Sequence, residues 1–156
     1  MNTPRNLDLH EVTQELARVL IKNHWHLSTA ESCTGGMVAA SITELAGSSD
    51  WFERGYVTYS NQSKSEDIDV SQNLIEQHGA VSDQVARAMA LGAKQNSGSD
   101  LSLSITGIAG PTGGSPEKPI GTVCFAWALA NDQIVSETNT LKAIVSRYVS
   151  KPAIFL

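Results

Sequence analysis

The stretch Ser28-Thr-Ala-Glu-Ser-Cys-Thr-Gly-Gly36 limits the possible folds of this chain more than any other. It reads as a short buried strand that enters a turn at Ser32 and Cys33. It leaves through Thr34, Gly35 and Gly36 into the helical run Met37 to Leu45. A helix N-terminus offers unpaired N–H groups and the positive end of a dipole. A nucleophile placed there can attack a carbonyl while the same N–H groups hold the oxyanion. The turn therefore points to acyl transfer, to anion binding, or to both.

The flanking pattern extends this unit into a fold class. Leu9, Val12, Leu16, Val19 and Leu20 have helical spacing over residues 7–23, and Asp8 is placed to cap that helix. The stretch Gly55-Tyr-Val-Thr-Tyr-Ser60 is aromatic and β-branched and predicts a strand. Residues 63–79 predict short helices closed by Gly79, and Ser82 opens a helix that runs to about Gln95. Strands follow at Leu101–Thr106 and Gly121–Leu129, and Asn131-Asp132 makes a hairpin into Ile134–Thr140. From Lys142 the chain starts helical and breaks at Pro152. Alternating strands and helices with a late hairpin predict an α/β protein, a three-layer α/β sandwich with a mixed, mostly five-stranded sheet.

Composition excludes several classes. A chain of 156 residues is expected to be one domain, 1–156. A net charge of −5 argues against a nucleic-acid surface. No run of 18 or more apolar residues exists, and the first ten residues lack the apolar core of a signal peptide. Two cysteines, Cys33 and Cys124, make no disulfide framework, so a cytoplasmic protein is expected.

The candidate chemistry centres on the turn. Ser32 and Cys33 compete as nucleophile, and both need a base. His10, His24, His26 and His78 stand in no site context. Lys64, just beyond the second strand, can serve if burial lowers its pKa. Tyr59 could relay a proton or hold the lysine amine, and Glu31 could orient a substrate hydroxyl or amide. A plainer reading has Ser32 as a cap, Cys33 in the core and Tyr59 half-buried in its strand. The Gly- and Pro-rich segment 107–119 has the character of a phosphate or substrate loop, but it matches neither G-x-x-x-x-G-K-[ST] nor G-x-G-x-x-G. The histidines and cysteines lack metal-ligand spacing, and no metal is expected.

Several ordered blocks closely resemble the CinA C-terminal domain family. They are Thr29 to Gly36, Gly47-Ser-Ser, Trp51-Phe-Glu-Arg-Gly-Tyr-Val-Thr-Tyr-Ser-Asn61, His78-Gly-Ala-Val-Ser82, Thr106-Gly-Ile-Ala-Gly-Pro111 and Lys118-Pro-Ile-Gly-Thr-Val123. The resemblance covers about residues 7–137 and takes the stand-alone form. It implies hydrolysis of the carboxamide of nicotinamide mononucleotide (NMN) to nicotinate mononucleotide and ammonia, without a cofactor. By the same resemblance Ser32 is the nucleophile, Lys64 its base and Tyr59 an assistant. The resemblance implies that Thr106 and the Gly107–Gly110 loop line the nucleotide site, and the turn itself leads us to expect the N–H groups of Cys33, Thr34, Gly35 and Gly36 to hold the oxyanion or the phosphate. A homodimer or larger assembly is implied as well. The chain departs from the family pattern after its last strand, where a Gly-Asp-Arg segment is missing and Lys142 or Arg147 is the candidate to replace its positive charge. The departure sets up the alternative of a catalytically impaired relative that binds pyridine nucleotide or a protein partner.

Overall fold

The computed structural model describes residues 8–141. The segment from Lys142 onward, with the missing Gly-Asp-Arg, Arg147 and the break at Pro152, lies outside them. The elements run α1 (Leu9–Asn23), β1 (Leu27–Glu31), α2 (Met37–Thr43), β2 (Phe52–Val57), α3 (Asn61–Ile68), α4 (Gln72–His78), α5 (Asp83–Ser97), β3 (Leu101–Gly107), β4 (Thr122–Ala128) and β5 (Ile134–Thr140). A short 3-10 turn at Ser48–Asp50 precedes β2.

Local chemistry sets the helix starts. Asp8 accepts from the Glu11 N–H while Glu11 reaches back to the Asp8 N–H, a capping box that fixes α1. Ser60 and Ser63 form the same reciprocal pair at α3, and Ser82 caps α5 through the Val85 N–H.

The five strands form one sheet in the order β2-β1-β3-β4-β5. β1 lies parallel to both β2 and β3, and the last two strands are antiparallel. The mixed sheet matches the expectation from sequence. On one face Ala17 and Leu20 of α1 and Ile42 of α2 bury Leu27 and Trp51. On the other, Ile68, Ile75, Val85, Met89 and Ala93 from α3, α4 and α5 enclose Ala30. The sheet is thus the middle of three layers.

Helix α5 lies close to β3 because both surfaces are small. Ser102 Oγ donates to the Ala90 carbonyl at 2.5 Å and Ser104 Oγ to the Ala86 carbonyl at 2.6 Å. Gly92 lets α3 approach α5 as well: a Cβ there would sit 1.8 Å from the Ile68 carbonyl oxygen.

Two boundaries differ from expectation. The second strand is Phe52–Val57 rather than 55–60, because the capping box at Ser60 starts α3 early. The helix after the Gly-Gly pair is shorter than 34–46, since Gly35 and Gly36 both take positive φ and hold the chain in a turn.

Candidate active site

The carboxyl ends of β1, β2 and β3 point to one edge of the sheet, the edge at which open α/β sheets bind ligands. Ser32 follows β1 directly and its N–H donates to the Ile105 carbonyl of β3 at 2.9 Å, which ties the turn to the sheet. Lys64 enters from the first turns of α3. Its side chain is 1% exposed, and its amine lies 3.1 Å from Ser32 Oγ. The same amine donates to the Thr58 carbonyl at 2.8 Å and more weakly to the Ser60 carbonyl at 3.4 Å. No carboxylate pairs with it among the described residues. Burial without a counter-anion disfavours the ammonium, and the Lys64 pKa falls below its ordinary value.

This arrangement separates Ser32 from Cys33. Desolvation pushes the Cys33 thiol up to about 11, its own N–H opposing this only in part. A thiol of that kind is a poor nucleophile at neutral pH. The hydroxyl next to it has a base in hydrogen-bond reach and the thiol does not.

The donors of the turn divide sharply. The Gly35 N–H donates to the Ser32 carbonyl at 3.0 Å, and the Met37 N–H to the Thr34 carbonyl at 3.1 Å. Glu31 takes the N–H groups of Gly36, Val38 and Ala39 at 3.1, 3.0 and 2.8 Å. The positive end of α2 is therefore already capped. Only the Cys33 and Thr34 N–H groups donate to no carbonyl or carboxylate among the described residues. The Thr34 hydroxyl is buried and unpartnered beside them.

Three of the expected site residues have bonds or exposure that the sequence did not announce. Glu31, 1% exposed and bonded three times to backbone, caps α2. Thr106 is 1% exposed and donates its hydroxyl to the Ala80 carbonyl at 2.9 Å, which holds the turn before α5. Tyr59 is 73% exposed, and its hydroxyl has no hydrogen-bond partner among the described residues. The backbone on either side of Tyr59 grips the lysine instead. Gly35 and Gly36 serve the turn by conformation, their N–H groups being used within it. Gly107 ends β3 against Cys33: a Cβ there would lie 3.0 Å from the Cys33 sulfur and 2.9 Å from the Thr122 carbonyl oxygen. Gly110, at φ +78°, packs under Ile120 in the following loop.

Sequence reasoning missed the carbonyls of Thr58 and Ser60 as the lysine's holders. The signal was present, since Ser60-Asn-Gln-Ser63 has the spacing of a helix start and places Lys64 one turn in.

Comparison with known proteins finds relatives over most of the chain. The model of the CinA C-terminal domain matches residues 9–149. The nicotinamide-nucleotide amidohydrolase PncC of Enterobacter agglomerans is 50% identical over 128 residues, which is 82% of this chain and 78% of that protein. A CinA-like protein of Citrifermentans bemidjiense is 57% identical over 119 residues, 76% of this chain but only 29% of that longer protein. The crystal structure of the competence/damage inducible protein CihA from Agrobacterium tumefaciens superposes with a TM-score of 0.86 at 36% identity, covering 96% of this chain and 89% of that one. With the Ser32–Gly36 turn, the buried lysine and the sheet order all inside the matched span, the chain belongs to the CinA C-terminal domain family.

Proposed function

We propose that this protein is a nicotinamide-nucleotide amidohydrolase that converts NMN to nicotinate mononucleotide and ammonia by a Ser-Lys mechanism. The observation that carries the reading is the buried Lys64 amine 3.1 Å from Ser32 Oγ. The 50%-identical relative in Enterobacter agglomerans bears that name and supports the choice of substrate.

A neutral amine has two hydrogens and one lone pair. Here the two hydrogens go to the Thr58 and Ser60 carbonyls, which leaves the lone pair for the Ser32 proton. As Lys64 takes that proton, Ser32 Oγ bonds to the carboxamide carbon and the carbonyl electrons move onto oxygen. The Cys33 and Thr34 N–H groups hold that oxyanion; losing one such donor costs about 10²–10³ in rate. Lys64 returns the proton to the amide nitrogen, the C–N bond breaks and ammonia leaves. Water then attacks the ester with Lys64 again as base, and Ser32 is regenerated. Tyr59, exposed beside the lysine's carbonyl clamp, contacts the bound nucleotide rather than the amine, a role that Tyr59→Ala tests through KM.

The protein is incubated with NMN and ammonia release is followed. Turnover by wild type that is lost in Ser32→Ala and Lys64→Ala is expected. No release by wild type, or full release by Ser32→Ala, overturns the reading. The departure after β5 favours a second reading, a nucleotide binder without turnover, which calorimetry with NMN distinguishes by heat of binding without ammonia. The family resemblance also supports a cytoplasmic homo-oligomer, tested by sedimentation equilibrium. No helix among the described residues is long and apolar enough to cross a membrane.

A further inference from the structure

The segment joining β3 to β4 leaves the sheet at Gly107, in contact with Cys33, and carries no helix or strand from Ile108 to Gly121. It is nevertheless tied together. Its base is closed by the Ile108 N–H on the Thr122 carbonyl and the Gly121 N–H on the Ile108 carbonyl, both 2.9 Å. Its tip is closed by the Ser115 N–H on the Lys118 carbonyl at 2.9 Å and the Lys118 N–H on Ser115 Oγ at 3.1 Å. From Pro111 to Ile120 every residue is exposed except Lys118. That side chain turns back to the body of the protein. Its ammonium donates to the His78 carbonyl at 2.9 Å and to the Val81 carbonyl at 2.7 Å. His78 ends α4 and Val81 lies in the connection to α5, which β3 also holds through Thr106 Oγ1 on the Ala80 carbonyl.

We propose that Lys118 is a positioning residue that fastens loop 108–121 to the α4–α5 connection and so fixes the wall of the substrate site beside the nucleophile turn. Its kinetic consequence rests on the amidohydrolase reading. Ser32, Lys64 and the Cys33 and Thr34 donors are held by β1, β3, α3 and the carbonyls after β2, with no bond from residues 111–120. Losing the anchor loosens contacts to the remote part of the substrate and leaves the reacting groups in place. That is a loss of binding common to ground and transition states, and it appears in KM.

Lys118→Met keeps the apolar stem and removes the donors, and Lys118→Arg restores two donors on a similar reach. Amide exchange by mass spectrometry is compared for peptides covering 108–122 and 79–82, alongside ammonia release at varied NMN. Lys118→Met is expected to exchange faster in both peptides. It should raise KM on the order of tenfold while kcat stays within about twofold. Lys118→Arg recovers most of both. Unchanged exchange in 108–122 for Lys118→Met overturns the proposal, and so does a fall in kcat at constant KM. If Lys118→Met does not fold, wild-type values in Lys118→Arg for both readouts still support the anchor, and a KM raised about tenfold in Lys118→Arg with unchanged exchange in 108–122 overturns it. Absence of ammonia from wild type refutes the activity alone, because the exchange comparison decides the anchor without turnover.

Discussion

Replacing Glu31 by Gln separates a cap from a substrate contact. One carboxylate oxygen accepts from Gly36 and Val38, and the other from Ala39 at 2.8 Å. In the glutamine variant the amide oxygen can keep the pair, but its NH₂ then faces the Ala39 N–H, donor against donor. One charge-assisted bond, worth about 1.5–3 kcal/mol, is lost. The negative charge at the start of α2 goes too, at about 0.3–1 kcal/mol. The expected destabilisation is therefore about 2–4 kcal/mol. Urea unfolding at neutral pH measures it, and ammonia release from NMN is read on the same samples. The variant should be less stable with a lower kcat, since the turn carrying Cys33 and Thr34 begins one residue after Glu31. Its KM should be little changed. Stability within about 0.5 kcal/mol of wild type together with a raised KM refutes the argument and returns Glu31 to the substrate.

Other consequences are open to direct measurement. Because burial lowers the Lys64 pKa below 10.5, kcat/KM should rise with pH through an apparent pKa below that value, and a flat profile would count against Lys64 as base. The unfolded chain binds that proton where the folded one does not, so Lys64 adds stability with rising pH between the lowered pKa and 10.5, opposed from about pH 9 upward by the raised Cys33 and Cys124 thiols; wild type minus Lys64→Met, in denaturation at a series of pH values, should show the rise. Cys33→Ala should keep kcat within about threefold of wild type, because a thiol with a pKa of about 11 offers little thiolate at neutral pH; a 100-fold loss would restore Cys33 as nucleophile. Gly92→Ala should lower stability by about 1–3 kcal/mol or more, read by thermal unfolding, since its Cβ overlaps the Ile68 carbonyl.

Much of the fold was readable in the residues because its signals are local. Asp8, Ser82 and the alternation Leu101–Ile105 act over a few positions, and the sheet they imply is the one observed. The candidate site was readable in part. Ser32 and Lys64 could be named as chemically apt, but 31 residues and a strand separate them, and only the parallel pairing of β1 with β2 brings them together. Glu31 and Thr106 have bonds that the sequence did not announce, for one shared reason. Each is polar and adjacent to the site, and each is already bonded to backbone, which residue type cannot reveal. Lys118 was passed over because its partners, the carbonyls of His78 and Val81, have no side-chain signature.

The missing side chain at Gly92 reaches further than core packing. Ile68, whose carbonyl lies against that position, closes the helix on which Lys64 sits one turn earlier. Gly92 thus sets how closely the helix carrying Lys64 approaches α5, and with it the spacing of the Lys64 amine from Ser32 Oγ. A side chain there would push α3 outward and carry the amine away from Ser32. A screen scored by turnover would then group Gly92 with the catalytic pair, and one scored by melting temperature would group it with the core. The gap between the two scores measures how much of the lysine's aim is set by α5.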